Sequence, residues 1–173
     1  PERWRLQDRA LRPGDRLLRQ RLASAFTGFK PDLVLVPAPV DLHTDHRALA
    51  LAVQHAVRRG TLGGLLDRAP TWVAAYEVGS PLLPNLLVAA DAGWPKKVAA
   101  AACHADQDVH WPYREYMDAL GVMRRLTLKG CSRAEALHLL PARLVARLSA
   151  SGWAARMGSP AMIKVRAGQP RGP

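Results

Sequence analysis

Asp32-Leu-Val-Leu-Val-Pro37 is a short, unbroken apolar run, rich in β-branched residues, with Lys30-Pro31 before it and Pro37-Ala-Pro39 closing it. Runs of this kind read as strands buried on both faces, as in a parallel sheet. Upstream, Leu17, Leu18, Leu22, Ala25 and Phe26 recur three and four residues apart within residues 13–29, after a Pro-Gly-Asp start suited to a helix N-terminus. Downstream, Leu49, Val53, Ala56 and Val57 form one face of a second helix over residues 47–59, with Gly60, Gly63 and Gly64 to close it. Helix, buried strand and helix in succession confine the chain to an α/β layer.

The pattern continues with strands predicted over residues 71–78 and 85–91, separated by a Pro-rich turn. Trp94-Pro95 opens a helix through about residue 105, and residues 113–128 carry Tyr116, Leu120 and Met123 at helical spacing. Ser132-Arg-Ala-Glu135 has the form of a capping box, which predicts a further helix from Ser132, kinked or split at Pro141. Residues 158–173 are basic, Pro- and Gly-containing and without period, so they read as a tail behind one domain over residues 1–157.

Composition excludes several classes. With 49% hydrophobic residues, 173 residues bury a core without disulfide or metal staples. Cys103 and Cys131 form neither a disulfide framework nor a CxxC pair. No stretch approaches the roughly 20 apolar residues of a membrane span. The chain starts at Pro1 and runs straight into charged sequence with no secretory leader, which predicts a cytoplasmic piece of something longer. Its net charge of +11 raises the question of nucleic acid, but the basic residues are spread over the whole chain with few aromatics among them, and no nucleic-acid partner is expected.

The sharpest chemical feature is His43-Thr-Asp-His46, placed where a strand has ended and a helix is starting. Ligands in open α/β sheets bind at such strand ends. Two imidazoles three residues apart can share the first turn of a helix, and an aspartate between them can accept a ring N–H and fix its tautomer. Alone, such spacing is also that of two surface histidines. Asp8 and Arg9 precede the first helix, Tyr76-Glu77 closes a predicted strand, and His104-Ala-Asp-Gln-Asp108 forms a second small cluster. Trp72, Trp94, Trp111 and Trp153 read as core or rim rather than as a ligand platform.

Residues 31–50, Pro-Asp-Leu-Val-Leu-Val-Pro-Ala-Pro-Val-Asp-Leu-His-Thr-Asp-His-Arg-Ala-Leu-Ala, resemble the second motif of the LmbE/PIG-L N-deacetylases in order and spacing. Leu6-Gln-Asp-Arg-Ala-Leu11 resembles an upstream element of that family. Tyr76-Glu77 with the strand at residues 85–91, Lys97 with His104 and Gln107, and Ala134-Glu-Ala136 resemble later ones. The resemblance spans residues 4–140. It implies a three-layer α/β/α sandwich with a Rossmann-like, mostly parallel sheet. It also implies a zinc-dependent removal of an N-acetyl group from an N-acetylglucosamine-type glycoconjugate or related small molecule.

Under the same resemblance His46 is the zinc ligand, and His43 stabilises the oxyanion or protonates the leaving amine. Asp45 orients His43 or the helix, and Asp8 and Arg9 contact substrate, the alternative being a plain surface ion pair; by its strand-end position Tyr76 lines the same cleft and contacts substrate, or turns its hydroxyl to water. The family's N-terminal His-x-Asp-Asp motif, which supplies two further ligands and the carboxylate base, is not found in the 173 residues. The expectation is therefore an N-terminally truncated fold with an exposed sheet edge, compatible with a homo-oligomer. Zinc binding is then incomplete, and the alternative is a non-catalytic sugar- or partner-binding remnant.

Overall fold

The computed structural model describes residues 3–63, 69–109 and 111–158. The tail predicted for residues 158–173 lies, but for its first residue, outside the described residues, as does Gly64. In chain order the elements are α1 (Arg16–Phe29), β1 (Leu33–Pro37), α2 (Thr44–Gly63), β2 (Trp72–Tyr76), β3 (Leu86–Ala89), α3 (Trp94–Ala102), α4 (Ala105–Asp108), α5 (Tyr113–Arg124) with a 3-10 turn behind it, β4 (Ala134–Pro141), α6 (Ala142–Arg147) and α7 (Ala150–Ala155).

Helix α1 forms where its apolar spacing predicts. The Asp15 carboxylate caps it by accepting from the Leu18 N–H at 3.0 Å, and Lys30 ends it in a left-handed turn whose N–H reaches the Phe26 carbonyl at 2.9 Å. Leu18, Leu22 and Phe26, four residues apart, face the core. Strand β1 follows and pairs parallel with β2, with α2 as the crossover between them.

The four strands lie in the order β1-β2-β4-β3. Strand β4 runs antiparallel to both neighbours, so β1, β2 and β3 share one direction and only β4 opposes them. Helices flank this mostly parallel sheet. Val36, Val73 and Leu140 share one face and join the core with Val53 and Val57 of α2 and Val145 of α6. Glu135 points to the other face, where Lys97 of α3 meets it at 2.6 Å. The layers are those of an α/β/α sandwich.

Two local expectations are corrected. Residues 134–141 form a strand rather than a capped helix, and their burial alternates residue by residue. Ala, Glu and Leu favour helices, but pairing on both edges inside the sheet outweighs a preference of a few tenths of a kcal/mol per residue. Pro141 ends that strand. Strand β1 is not buried on both faces either, because it stands at the sheet edge with Leu33 47% and Leu35 58% exposed. No helix among the described residues is long and apolar enough to cross a membrane.

Candidate functional site

Strands β1, β2 and β3 all end at one edge of the sheet, and β4 begins beside them. A cleft of about 1120 Å³ opens there. His43, His46, Tyr76, Asp8 and Arg9 line it, together with Trp94 and Lys97 of α3 and Tyr116 of α5. The sequence-predicted site residues Asp8, Arg9, His43, His46 and Tyr76 are thus brought to one cavity from three separate segments.

The geometry turns on a residue that sequence reasoning missed. Asp41 is completely buried in the loop between β1 and α2. Its Oδ1 accepts the His43 backbone N–H at 2.8 Å and sits 2.9 Å from His46 Nδ1, and its Oδ2 accepts the Gly79 N–H at 2.7 Å. Gly79 admits this approach, since a Cβ there would lie 3.1 Å from Asp41 Oδ1. Burial by itself raises the carboxyl pKa of Asp41, but the hydrogen bonds from His46, His43 and Gly79 and the His46 charge outweigh it and hold the group below its ordinary 3.8. An ionised Asp41 makes His46 Nδ1 the donor, which leaves the Nε2 lone pair for a ligand. The only hint in the sequence was one acid within Pro-Ala-Pro-Val-Asp-Leu.

The His43 ring is set differently. Its Nδ1 accepts the Asp45 N–H at 3.2 Å, so the neutral ring carries its proton on Nε2, which lies 4.0 Å from Asp8 Oδ1. The two imidazoles stand 4.8 Å apart between centroids. The Asp45 carboxylate touches neither ring and instead accepts the backbone N–H groups of Arg9 at 2.7 Å and Leu11 at 3.2 Å. It orders the segment that carries Asp8 and Arg9, while gripping an imidazole is the task of Asp41.

Burial, followed by the charge of Asp41, raises the pKa of Tyr76 and keeps its phenol protonated. Tyr116, on α5, is raised in the same way by burial and then by Glu77 and Asp41, and its buried hydroxyl has no hydrogen-bond partner among the described residues. Glu77 lines the cleft beside Tyr76 and is engaged by the Arg124 guanidinium.

A metal ion would find one well-prepared donor here. His46 offers Nε2 on a ring fixed by a buried carboxylate, the arrangement that metal-bound imidazoles use. Among the described residues no group of three or more His, Cys, Asp or Glu side chains is placed to hold an ion. His104 and Asp108 line the helical wall of the cleft, where Asp108 is bound by Arg114 and Asp106 by Gln107. The described residues fit one ligand position and not a closed shell.

The chain matches no known family model and no curated protein sequence. Solved structures do match. The conserved protein TT1542 from Thermus thermophilus is 25% identical, with a TM-score of 0.65 over 79% of this chain and 64% of that one. The N,N'-diacetylchitobiose deacetylase from Pyrococcus horikoshii is 20% identical, with a TM-score of 0.63 over 80% and 56%. GalB, the 4-carboxy-2-hydroxymuconate hydratase from Pseudomonas putida, is 26% identical, with a TM-score of 0.56 over 73% and 59%. The chain therefore spans about three fifths of the length of these structures, and it carries a deacetylase-like α/β fold.

Proposed function

We propose that this chain is the histidine-bearing part of a metal-dependent hydrolase that removes an N-acetyl group from an N-acetylglucosamine-type glycoconjugate or a related small molecule. The observation that carries this reading is the Asp41–His46 pair, a buried carboxylate on Nδ1 of an imidazole that lines the cleft. His46 Nε2 is the atom that would hold zinc, with the remaining ligands and the carboxylate base supplied by polypeptide outside these 173 residues. Bound zinc supplies a hydroxide near neutral pH and polarises an amide carbonyl. His43 contributes an Nε2–H donor for the oxygen that gains charge, or for the departing amine. Asp8, Arg9 and Tyr76 surround the substrate with hydrogen-bonding groups.

The fold supports a deacetylase and, in the hydratase, a different reaction, so the assignment rests on the site and not on the fold. A second reading, a non-catalytic sugar- or partner-binding chain, is favoured by the incomplete metal shell among the described residues. Zinc content and acetate release from N,N'-diacetylchitobiose separate the two, measured on this chain and on one extended upstream. We expect one zinc and acetate release in the extended chain, both lost in His46→Ala. Sugar binding without zinc or acetate release in either chain would establish the second reading.

A further inference from the structure

The arginines that lie evenly along the sequence do not lie evenly over the fold. Helices α1, α2, α6 and α7 cover one face of the sheet, where Leu18, Val53, Val145 and Trp153 join Val36 and Val73 in the core. Among the described residues of these four helices the one acid is Asp45, which is buried and engaged by the backbone N–H groups of Arg9 and Leu11. Their outer surface carries Arg16 and Arg19 on α1, Arg58 and Arg59 on α2, and Arg143 and Arg147 on α6, all exposed. None of the six has an ion pair among the described residues. By contrast, Lys97 of α3 is matched by Glu135, Arg114 and Arg124 of α5 by Asp108 and Glu77, and Arg133 by Asp118.

Folding joins these cations across the helices. Arg16 and Arg19 are three residues apart and Arg143 and Arg147 four, so each pair shares a helix face. Helix α2 packs against both α1 and α6. His55 marks the first seam: burial, and then the charges of Arg19, Arg59 and Arg58, hold its pKa below the ordinary 6.5, so guanidinium groups of both helices surround it. Arg58 marks the second, donating to the carbonyls of Ala146 at 2.8 Å and Leu148 at 2.7 Å, which flank Arg147. Packed helices stand about 8–10 Å apart, so three of them span about 16–20 Å, roughly five base-pair steps of a duplex. Gathered like charges repel one another, and a polyanion relieves that repulsion.

The side chains narrow the partner. All six cations are arginines, whose planar forks pair with phosphate oxygens. Helix α6 exposes no large apolar side chain, α2 only Leu62 in its last turn, and α1 Leu17 and, at the far end from Arg16, Phe29. Stacking on single-stranded bases and insertion into a bilayer both need aromatic groups set among the cations. The outer backbone of a duplex needs none.

We propose that the arginine face of α1, α2 and α6 binds the phosphate backbone of a nucleic-acid duplex without reading its sequence. The expectation of no nucleic-acid partner rested on the even spread of basic residues along the chain, which the fold undoes. The face stands apart from the histidine cleft, and the proposal does not depend on the hydrolase reading. The test is fluorescence anisotropy of the 173-residue chain with two labelled DNA duplexes of unrelated sequence, about 20 base pairs long, between about 50 and 200 mM salt. Both duplexes bind alike, and log affinity falls with log salt at a slope of about −4, the signature of four to five neutralised phosphates. Arg19→Gln with Arg147→Gln weakens binding about 10-fold and reduces the slope by about 2. Lys96→Gln with Lys129→Gln, an equal change of net charge at exposed positions off these helices, leaves affinity within about 2-fold. Circular dichroism checks that both variants are folded. No duplex binding at the lowest salt, equal losses in the two variants, or tighter binding to phosphatidylserine vesicles, polyglutamate or single-stranded DNA overturns the proposal.

Discussion

At the scale of single residues, Asp41 links loop structure to chemistry. It is buried, ionised and bound by two backbone amides and one imidazole, so an amide in its place weakens the two contacts at Oδ1 and sets an N–H group against the Gly79 N–H that Oδ2 now accepts. Asp41→Asn is expected to cost about 2–3 kcal/mol in urea unfolding at pH 7. Because the folded pKa lies below the ordinary 3.8, the stability Asp41 contributes is complete above that pH and is lost as pH falls through the lowered value. The wild type therefore loses stability more steeply below about pH 4 than Asp41→Asn does. In the extended chain the same substitution should weaken zinc about 10- to 100-fold, as loss of an orienting carboxylate does. The histidines were legible in the sequence because spacing and strand-end position mark them. Asp41 was not, since its partners His46 and Gly79 meet it only through the folded loop.

Among the elements, the contact between α3 and α5 shows how the cleft wall is fixed. Gly121 lies against the Trp94 indole so closely that a Cβ would come within 2.4 Å of the ring. The same indole has Lys97 and Arg133 over it, and Arg133 is held by Asp118 at 2.8 Å. Gly121→Ala gains about 1 kcal/mol of helix preference but forces the indole to move, at ~1–3 kcal/mol. A net loss of up to about 2 kcal/mol is expected in urea unfolding, with a changed near-ultraviolet circular dichroism signal from the displaced tryptophan. Helices α1, α2 and α5 and the first three strands were readable from period and punctuation. Strand β4 was not, because Ala-Glu-Ala-Leu has helical preference and only its place between β2 and β3 makes it extended. The shared-direction sheet was likewise readable in its βαβ start, whereas the reversal of β4 carries no local signal.

For the molecule as a whole, the side of β1 away from β2 and the face carrying Leu33 and Leu35 stand open among the described residues. Unpaired apolar edges recruit other strands. The 173-residue chain is expected to self-associate with rising concentration in sedimentation velocity, and Leu35→Lys to suppress this while changing stability by no more than about 0.5 kcal/mol. Unchanged association in that variant would place the contact elsewhere. The strand order has another consequence, for the time course of folding. Strand β4 comes last in the chain yet sits between β2 and β3, which stay two strand spacings apart, about 9.5 Å, until it arrives. During synthesis β3 has no neighbour to hold it, so the cleft edge cannot form until residues 134–141 have left the ribosome, and refolding waits on that long-range closure.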